Sequence, residues 1–315
     1  MIIHYRVLIL LSALVLSACQ SVPKEALLDP EPMSSQYRCG LMTAQLKVEG
    51  KGAELELGDR TIAMTAVVAE SGVRYQSQET ESEFWQQGPL ARLVVNGVSW
   101  PECTIAGSVP FFLDARGNEP FWHLKLEEDR AVLSRLGFNQ EQEGLIVERN
   151  FEGRTEDALL HFGSDQEQLT VEASLCQDSM TGMPYPYRVR LSHEGQILQG
   201  CGGKPYDLLQ GPQWRVTSLQ EQEIPENIEL SMFFSEDRRL SGRSACNRYF
   251  GAVRLSGEGL DIGNLATTRM GCAREVMEWE QSFLAVLAQV SRFSLTEDQQ
   301  LVLYIGDTPA LLADF

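Results

Sequence analysis

The sequence predicts a mainly β protein with one α+β domain at its C-terminal end. Over much of residues 37–206, short runs of apolar residues alternate at period two and are separated by glycine turns, which is typical of antiparallel strands. A single segment, from about Arg274 to Val290, repeats apolar residues at spacings of three and four, as one face of a helix does. Six of the seven cysteines follow one another in pairs along the chain. We therefore expect a small antiparallel barrel, a β-rich middle domain and an α+β domain, each with one disulfide.

The first 18 residues have the features of a secretory signal peptide. A short basic region ends at Arg6, and the apolar stretch from Val7 to Leu16 is too short to span a bilayer. Small residues then lead into Cys19, which resembles the lipobox of bacterial lipoproteins. That resemblance implies that the signal is removed and that Cys19 carries two or three acyl chains, which would anchor the protein to a membrane. An ordinary cleaved signal followed by an unrelated cysteine is the alternative.

The residue after Cys19 is Gln20, and the absence of Asp there implies the outer membrane by the sorting rule for such lipoproteins. We expect the folded part to face the periplasm. Residues 19–36 contain three prolines and no apolar period, so we predict an acylated tether.

Charge and composition limit the functions that the chain can have. The 315 residues carry a formal net charge of -18, which argues against nucleic acid as a partner because binding to phosphates depends on Lys and Arg. Only four histidines are present, and no CxxC or HxxxH spacing occurs. We therefore expect no metal, no cofactor and no enzymatic activity.

With Cys19 acylated, an even number of cysteines remains in an exported chain, which indicates disulfides. Six cysteines permit 15 pairings. Pairing nearest neighbours keeps each bond within one domain, and chain entropy gives each loop about 3.5–4.5 kcal/mol of stabilisation. The predicted pairs are Cys39–Cys103, Cys176–Cys201 and Cys246–Cys272.

The predicted domains follow from the order of these elements. Hairpin signals at Gly50–Gly52, Gly88-Pro89 and Asn96-Gly97 place a small barrel or sandwich at residues 37–104. Strand-like alternation continues through a middle domain, residues 105–206. The helix, flanked by strands, defines a third domain at residues 207–315.

Residues 37–104 resemble the membrane-bound inhibitors of c-type lysozyme, small lipoproteins with an eight-stranded barrel. The most specific part of the likeness is Ser71-Gly72-Val73-Arg74-Tyr75, and Phe84-Trp85 and Gly88 follow in the family's order. The resemblance implies that Ser71 enters the lysozyme cleft and hydrogen-bonds its catalytic carboxyls. Gly72 would give the loop its backbone freedom, and Arg74 and Tyr75 would brace it from within. The alternative is that Ser71-Gly72 is an ordinary β-turn.

One residue departs from the family pattern. Where the family usually has a Lys that reaches an ionised carboxylate, this chain has Gln87, which forfeits a charge-assisted hydrogen bond. The preceding segment also carries Glu79, Glu81 and Glu83. These carboxylates either complement the basic surface of lysozyme or form a solvated loop.

Two further resemblances cover the rest of the chain. Residues 207–315, with Cys246-Asn247-Arg248 and Thr268-Arg269, look like the META domain of heat-shock-inducible envelope proteins, for which no catalytic activity is implied. The four polar residues either form a polar site or satisfy turns beside a disulfide. Residues 105–206 are similar to an uncharacterised envelope domain, in which Glu119, His123 and Asp178 either form a titratable cluster or occupy strand-end turns.

Three functional hypotheses follow. The first is non-catalytic inhibition of c-type lysozyme through Ser71, although an endogenous autolysin is also open as the target. The second is a non-inhibitory scaffold or binding module for envelope stress, acting through the META and middle domains. The third, an enzyme acting on cell-wall material, has the least support because no nucleophile elbow, metal motif or carboxylate pair is visible.

Overall fold

Alternating burial organises most of the chain into antiparallel strands. The computed structural model describes residues 33–106, 108–135, 141–152, 155–257 and 259–315. The predicted signal peptide, Cys19 and most of the predicted tether lie outside these residues. The first strand begins at Met33, inside the predicted tether 19–36, because residues 33–36 pair with residues 45–48 of the next strand.

The first barrel is closed by eight strands. The strands are β1 Met33–Cys39, β2 Met42–Glu49, β3 Gly52–Leu57, β4 Arg60–Val67, β5 Val73–Gln76, β6 Glu83–Gln87, β7 Leu90–Val95, β8 Val98–Ser99 and β9 Cys103–Ile105. Neighbouring strands run in the order β7-β9-β1-β2-β3-β4-β5-β6, and β6 pairs with β7 to complete the ring. Strand β8 pairs with β7 outside the ring. The core contains Tyr37 and Phe84, whose ring centroids lie 4.8 Å apart. The predicted antiparallel barrel is confirmed.

Strand register assigns each turn to one of the two ends of this barrel. Turns at 50–51, 68–72 and 88–89 share one end with the start of β1, and we call it the loop end. Turns at 40–41, 58–59, 77–82 and 96–97 share the other, which we call the junction end. Residues of the C-terminal domain meet the junction end, where Gln210 Nε2 donates to the Ser99 carbonyl at 3.4 Å.

The middle region forms a second closed barrel of eight strands, around the buried Trp122. The Trp122 indole donates to the Gln199 carbonyl at 3.1 Å, and Gly117 leaves room for it, since a Cβ there would lie 2.2 Å from Nε1. Two short strands lie outside the ring, and the Cys176–Cys201 disulfide joins the first of them to the last strand of the barrel. The strands are β10 Phe112–Asn118, β11 Phe121–Glu127, β12 Arg130–Arg135, β13 Gln142–Glu152, β14 Thr155–Phe162, β15 Asp165–Glu172, β16 Cys176–Gln177, β17 Pro184–Tyr185, β18 Tyr187–His193 and β19 Gln196–Gly202.

The C-terminal region is a ten-stranded sheet with one helix, α1 Arg274–Leu287. Phe283 and Leu287 of α1 are buried against the sheet, as the predicted helical face requires. A short 3-10 helix, Pro205–Leu208, precedes the sheet. The strands are β20 Gln213–Leu219, β21 Gln222–Glu223, β22 Ser231–Phe234, β23 Arg239–Ser244, β24 Asn247–Ser256, β25 Gly259–Ile262, β26 Ala266–Thr267, β27 Arg292–Leu295, β28 Leu301–Ile305 and β29 Thr308–Asp314. The predicted fold class, mainly β with one α+β domain, is confirmed.

All three predicted disulfides are present. Their Cα atoms lie 4.2 Å apart for Cys39–Cys103, 5.5 Å for Cys176–Cys201 and 6.0 Å for Cys246–Cys272. The two barrels are also in contact. Arg38 of the first barrel forms an ion pair with Glu156 of the second at 3.3 Å, and its guanidinium lies 5.4 Å from the centre of the Tyr187 ring.

Candidate functional site

The Ser71 loop, residues 68–72, connects β4 to β5 at the loop end of the first barrel. Ser71 is exposed, and two side chains of β6 hold it from beneath. The Trp85 indole donates to the Ser71 carbonyl at 2.9 Å, and Gln87 Nε2 donates to the Ser71 hydroxyl at 2.6 Å. The loop therefore presents its hydroxyl to solvent in a fixed position.

Gly72 is required by both the conformation and the crowding of this loop. Its φ of +69° lies in the left-handed region, which side chains with a Cβ rarely adopt. A Cβ at this position would also lie 1.9 Å from the carbonyl oxygen of Gln86. No other residue fits here unless the loop moves away from β6.

Arg74 braces the hairpin on its outer face. Its guanidinium contacts the Glu83 carboxylate at 2.5 Å and lies 5.5 Å from the centre of the Trp85 ring. Gln76 Nε2 also donates to this carboxylate, at 2.9 Å. Burial alone would raise the pKa of Glu83, but the hydrogen bonds and charges, chiefly those of Arg74, hold it below its ordinary value. An ionised Glu83 thus fixes Arg74 next to the tryptophan that holds Ser71.

Tyr75 is a core residue of the barrel, on the inner side from which it was expected to brace the loop. It pairs across the hairpin with the fully buried Phe84, and it is itself only 7% exposed. Burial raises the pKa of its hydroxyl. Tyr75 supports the barrel beneath the loop because period-two alternation turns it inward when Arg74 points outward.

The acidic residues lie away from Ser71. Glu79 and Glu81 belong to the 77–82 turn at the junction end, and the length of β5, about 10 Å at 3.4 Å per residue, separates that turn from the Ser71 loop. They line an open cleft of about 670 Å³ together with Arg74, Glu83 and Arg92. A partner that binds Ser71 would interact with these carboxylates only through long-range electrostatics.

Two exposed apolar side chains beside Ser71 were not predicted. Val68 is 98% exposed and Val73 is 49% exposed, so both add apolar surface to the rim of the loop. In the sequence, Val67-Val68 reads as a continuation of the preceding strand. Only the end of β4 at Val67 shows that Val68 has left the sheet.

The titratable cluster, one of the two alternatives for Glu119, His123 and Asp178, does not form among the described residues. His123 Nε2 lies 3.1 Å from Asp114, whereas Asp178 accepts bonds from Met180 and Thr181 in its own turn. Glu119 contacts neither of the other two predicted members among the described residues. The period-two register explains this, since it places His123 beside a residue of the neighbouring strand β10.

The four polar residues of the C-terminal domain divide into two pairs. Asn247 is buried, and its amide oxygen accepts from the Thr268 hydroxyl and the Met270 amide, each at 2.7 Å. Its Nδ2 donates to the buried Glu280 carboxylate at 2.9 Å. Arg248 and Arg269 are exposed instead. The network around Asn247 favours the turn-stabilising alternative for that residue and Thr268.

Comparison with known families now assigns two parts of the chain. Residues 37–99 match the family of membrane-bound lysozyme-inhibitor of c-type lysozyme. Residues 207–313 match the META domain. The chain thus contains an inhibitor-type domain and a META domain, as the sequence motifs predicted. No curated protein and no solved structure gives a significant match.

The first of these families consists of membrane-bound inhibitors and not of enzymes. Among the described residues, no helix is long and apolar enough to cross a membrane. The same residues contain no group of three or more His, Cys, Asp or Glu arranged to hold a metal ion.

Proposed function

We propose that this protein is an envelope lipoprotein that binds c-type lysozyme and inhibits it by inserting the Ser71 loop into the active-site cleft. The observation that carries the proposal is the Ser71 hydroxyl itself. It is exposed at the loop end and held by Gln87 and Trp85, while the contacts with the C-terminal domain are made at the opposite end. The loop is therefore free to enter a cleft.

The hydrogen bonds of the loop suit the chemistry of that cleft. Because Gln87 donates to the Ser71 oxygen, the Ser71 hydrogen is left to donate outward, and a lone pair remains to accept. A retaining glycosidase works with one protonated and one ionised carboxyl about 5 Å apart. One hydroxyl between them donates to the ionised group and accepts from the protonated one, while Val68 and Val73 pack against the rim.

Anchoring would place this loop where lysozyme attacks the cell wall. We infer that Cys19 is acylated and that residues 20–32 link it to β1 at the loop end. The described part of the chain would then stand off the outer membrane and face the periplasm.

Lysozyme turbidity assays with the chain starting at Gln20 test the proposal. Ser71→Ala leaves cleft carboxyls without a partner, at a cost of about 1–3 kcal/mol. We expect inhibition to weaken by roughly 5- to 150-fold. Ser77→Ala, at the other end of the same hairpin, is the matched control and should inhibit like the unchanged chain. Equal inhibition by both variants would exclude the Ser71 mechanism.

Gln87 favours a second candidate function. Its neutral amide lacks the charge with which the family's Lys binds an ionised carboxylate. If the unchanged chain fails to slow lysozyme at micromolar concentration while Gln87→Lys succeeds, the first domain is a lapsed inhibitor. A non-inhibitory scaffold for envelope stress, acting through the META and middle domains, would then be the better account.

A further inference from the structure

The META domain presents an aromatic ring on an open, three-stranded face. Phe250 of β24 pairs with Ser241 of β23 on one side and with Ala266 of β26 on the other. Both neighbours are too small to cover a phenyl ring, and Phe250 is 58% exposed. Because residues 247, 249, 251 and 253 are buried and alternate with exposed ones, Phe250 lies on the solvent side.

Arginines lie next to this ring. Arg248, two residues before Phe250 on the same face, is directly opposite Arg243 of β23. Two like charges in such a cross-strand pair are unfavourable for the sheet. Arg243 reaches only an exposed Glu229 at 3.4 Å, and Arg248 makes no side-chain ion pair or hydrogen bond with any described residue. We call Phe250, Arg243 and Arg248 the arginine face.

The composition of the domain makes this arrangement unusual. Residues 207–315 contain nine arginines and no lysine, in a chain whose net charge is -18. A guanidinium binds a carboxylate through two parallel hydrogen bonds, which an ammonium cannot do. The arginine face is thus a local site for carboxylates on a protein that otherwise repels anions.

We propose that the arginine face binds a carboxylate-bearing glycan, such as an acidic cell-wall polysaccharide. The apolar C–H face of a sugar ring stacks on an aromatic ring, and Ser241 and Ala266 leave space for that ring over Phe250. Arg243 and Arg248 then pair with carboxylates on the same or the next sugar. A stable protein partner would bury about 800 Å² of this protein's surface around an apolar centre. A single phenyl ring supplies far less apolar area than such a centre needs, which favours a glycan over a protein as the ligand.

Calorimetric titration of the chain starting at Gln20 tests this site with three polymers. Polygalacturonate carries sugar rings and carboxylates, dextran carries only sugar rings, and polyglutamate carries only carboxylates. We expect polygalacturonate to bind, dextran not to bind, and polyglutamate to bind at least tenfold more weakly than polygalacturonate. Phe250→Ala and Arg248→Gln should each weaken polygalacturonate binding at least tenfold, and Phe250→Leu, which keeps an apolar side chain, should weaken it similarly.

Two matched controls separate the site from general surface effects. Phe112→Ala removes an aromatic side chain that is 49% exposed on the middle barrel, and Arg254→Gln removes an exposed arginine that is paired with Asp261. Both should bind like the unchanged chain. The proposal is overturned by no binding of polygalacturonate, by polyglutamate binding as tightly, or by polygalacturonate binding that Phe250→Ala and Arg248→Gln leave unchanged. Lysozyme inhibition should be the same in all these variants, so this test is independent of the inhibitor proposal.

Discussion

The Ser71 loop and the Asn247 network both depend on hydrogen bonds of polar side chains, but Ser71 is exposed and Asn247 is buried. Each is centred on one polar side chain, that of Ser71 or that of Asn247. The Asn247 side chain makes four hydrogen bonds, which is its full capacity, and it is 3% exposed. Ser71 accepts one hydrogen bond through its hydroxyl and leaves the rest of that group to solvent. A polar motif that has satisfied all its bonds internally stabilises a fold, whereas one with bonding capacity left at an exposed tip is available to a partner.

Removing the Glu280 carboxylate should have the largest effect on stability. Glu280 accepts from the Ser244 hydroxyl at 2.9 Å and from the Asn247 backbone amide at 2.8 Å, besides its bond to Nδ2. Glu280→Ala leaves these buried donors unpaired, and we expect it to destabilise the META domain by about 3 kcal/mol, measured by calorimetric unfolding. Glu278→Ala, on the exposed face of α1, should change stability by less than about 0.5 kcal/mol. A small effect at Glu280 would mean that the network does not stabilise the domain.

Asp207 provides the opposite case, a partly buried carboxylate with no hydrogen bond from a described donor. Burial raises its pKa from 3.8 to about 6, with Glu102 adding to the rise while Lys204 and Arg238 oppose it. Since the folded pKa exceeds the unfolded one, this group favours the unfolded state increasingly as pH rises from about 4 to 6. Asp207→Asn should therefore raise stability by about 2 kcal/mol above pH 6.

The same substitution should make little difference at about pH 4, where the carboxyl is protonated in the folded state. Unfolding measured at the two pH values separates these outcomes. An equal effect at both would show that the side-chain amide acts by its hydrogen bonds and not by removing a buried charge.

Gly72→Ala should affect the loop more than the fold. The new Cβ must move away from the Gln86 carbonyl, which displaces Ser71 from its bonds with Trp85 and Gln87. We expect lysozyme inhibition to weaken more than tenfold, equivalent to more than about 1.4 kcal/mol. Gly88→Ala is the matched control, since Gly88 has a φ of +61° but nothing within 4 Å of its ideal Cβ. If both variants inhibit lysozyme equally, the crowding at Gly72 does not determine the position of the Ser71 loop.

The sequence was sufficient for the features that depend on local patterns. Period-two alternation predicted the strands of the first barrel, the spacing of Phe283 and Leu287 predicted α1, and chain order predicted the disulfides. It was insufficient where an environment depends on pairing between distant strands. His123 meets Asp114 through β10, and Arg248 meets Arg243 only once β23 and β24 are paired.

The smallest expected effect comes from Gln87→Lys, which gives the exposed loop the charge of the family's usual residue. The ammonium would face an ionised carboxylate of the cleft, and a charge-assisted hydrogen bond is stronger than a neutral one. Desolvation of the ammonium offsets much of this gain. We expect inhibition to improve by about 2- to 5-fold, or about 0.5–1 kcal/mol, with no change in thermal stability.

The salt dependence of inhibition shows whether the gain from Gln87→Lys comes from a direct contact with lysozyme or from long-range attraction. Gln78→Lys adds the same charge to the 77–82 turn at the junction end, away from Ser71. Its effect on inhibition should be weaker and should disappear by about 0.15 M salt, where exposed charges more than about 8 Å apart are screened. The gain from Gln87→Lys should persist there because the ammonium would be buried against its partner. If the two variants respond to salt in the same way, position 87 does not contact a carboxylate of the cleft, and the bound loop must lie differently from the insertion proposed here.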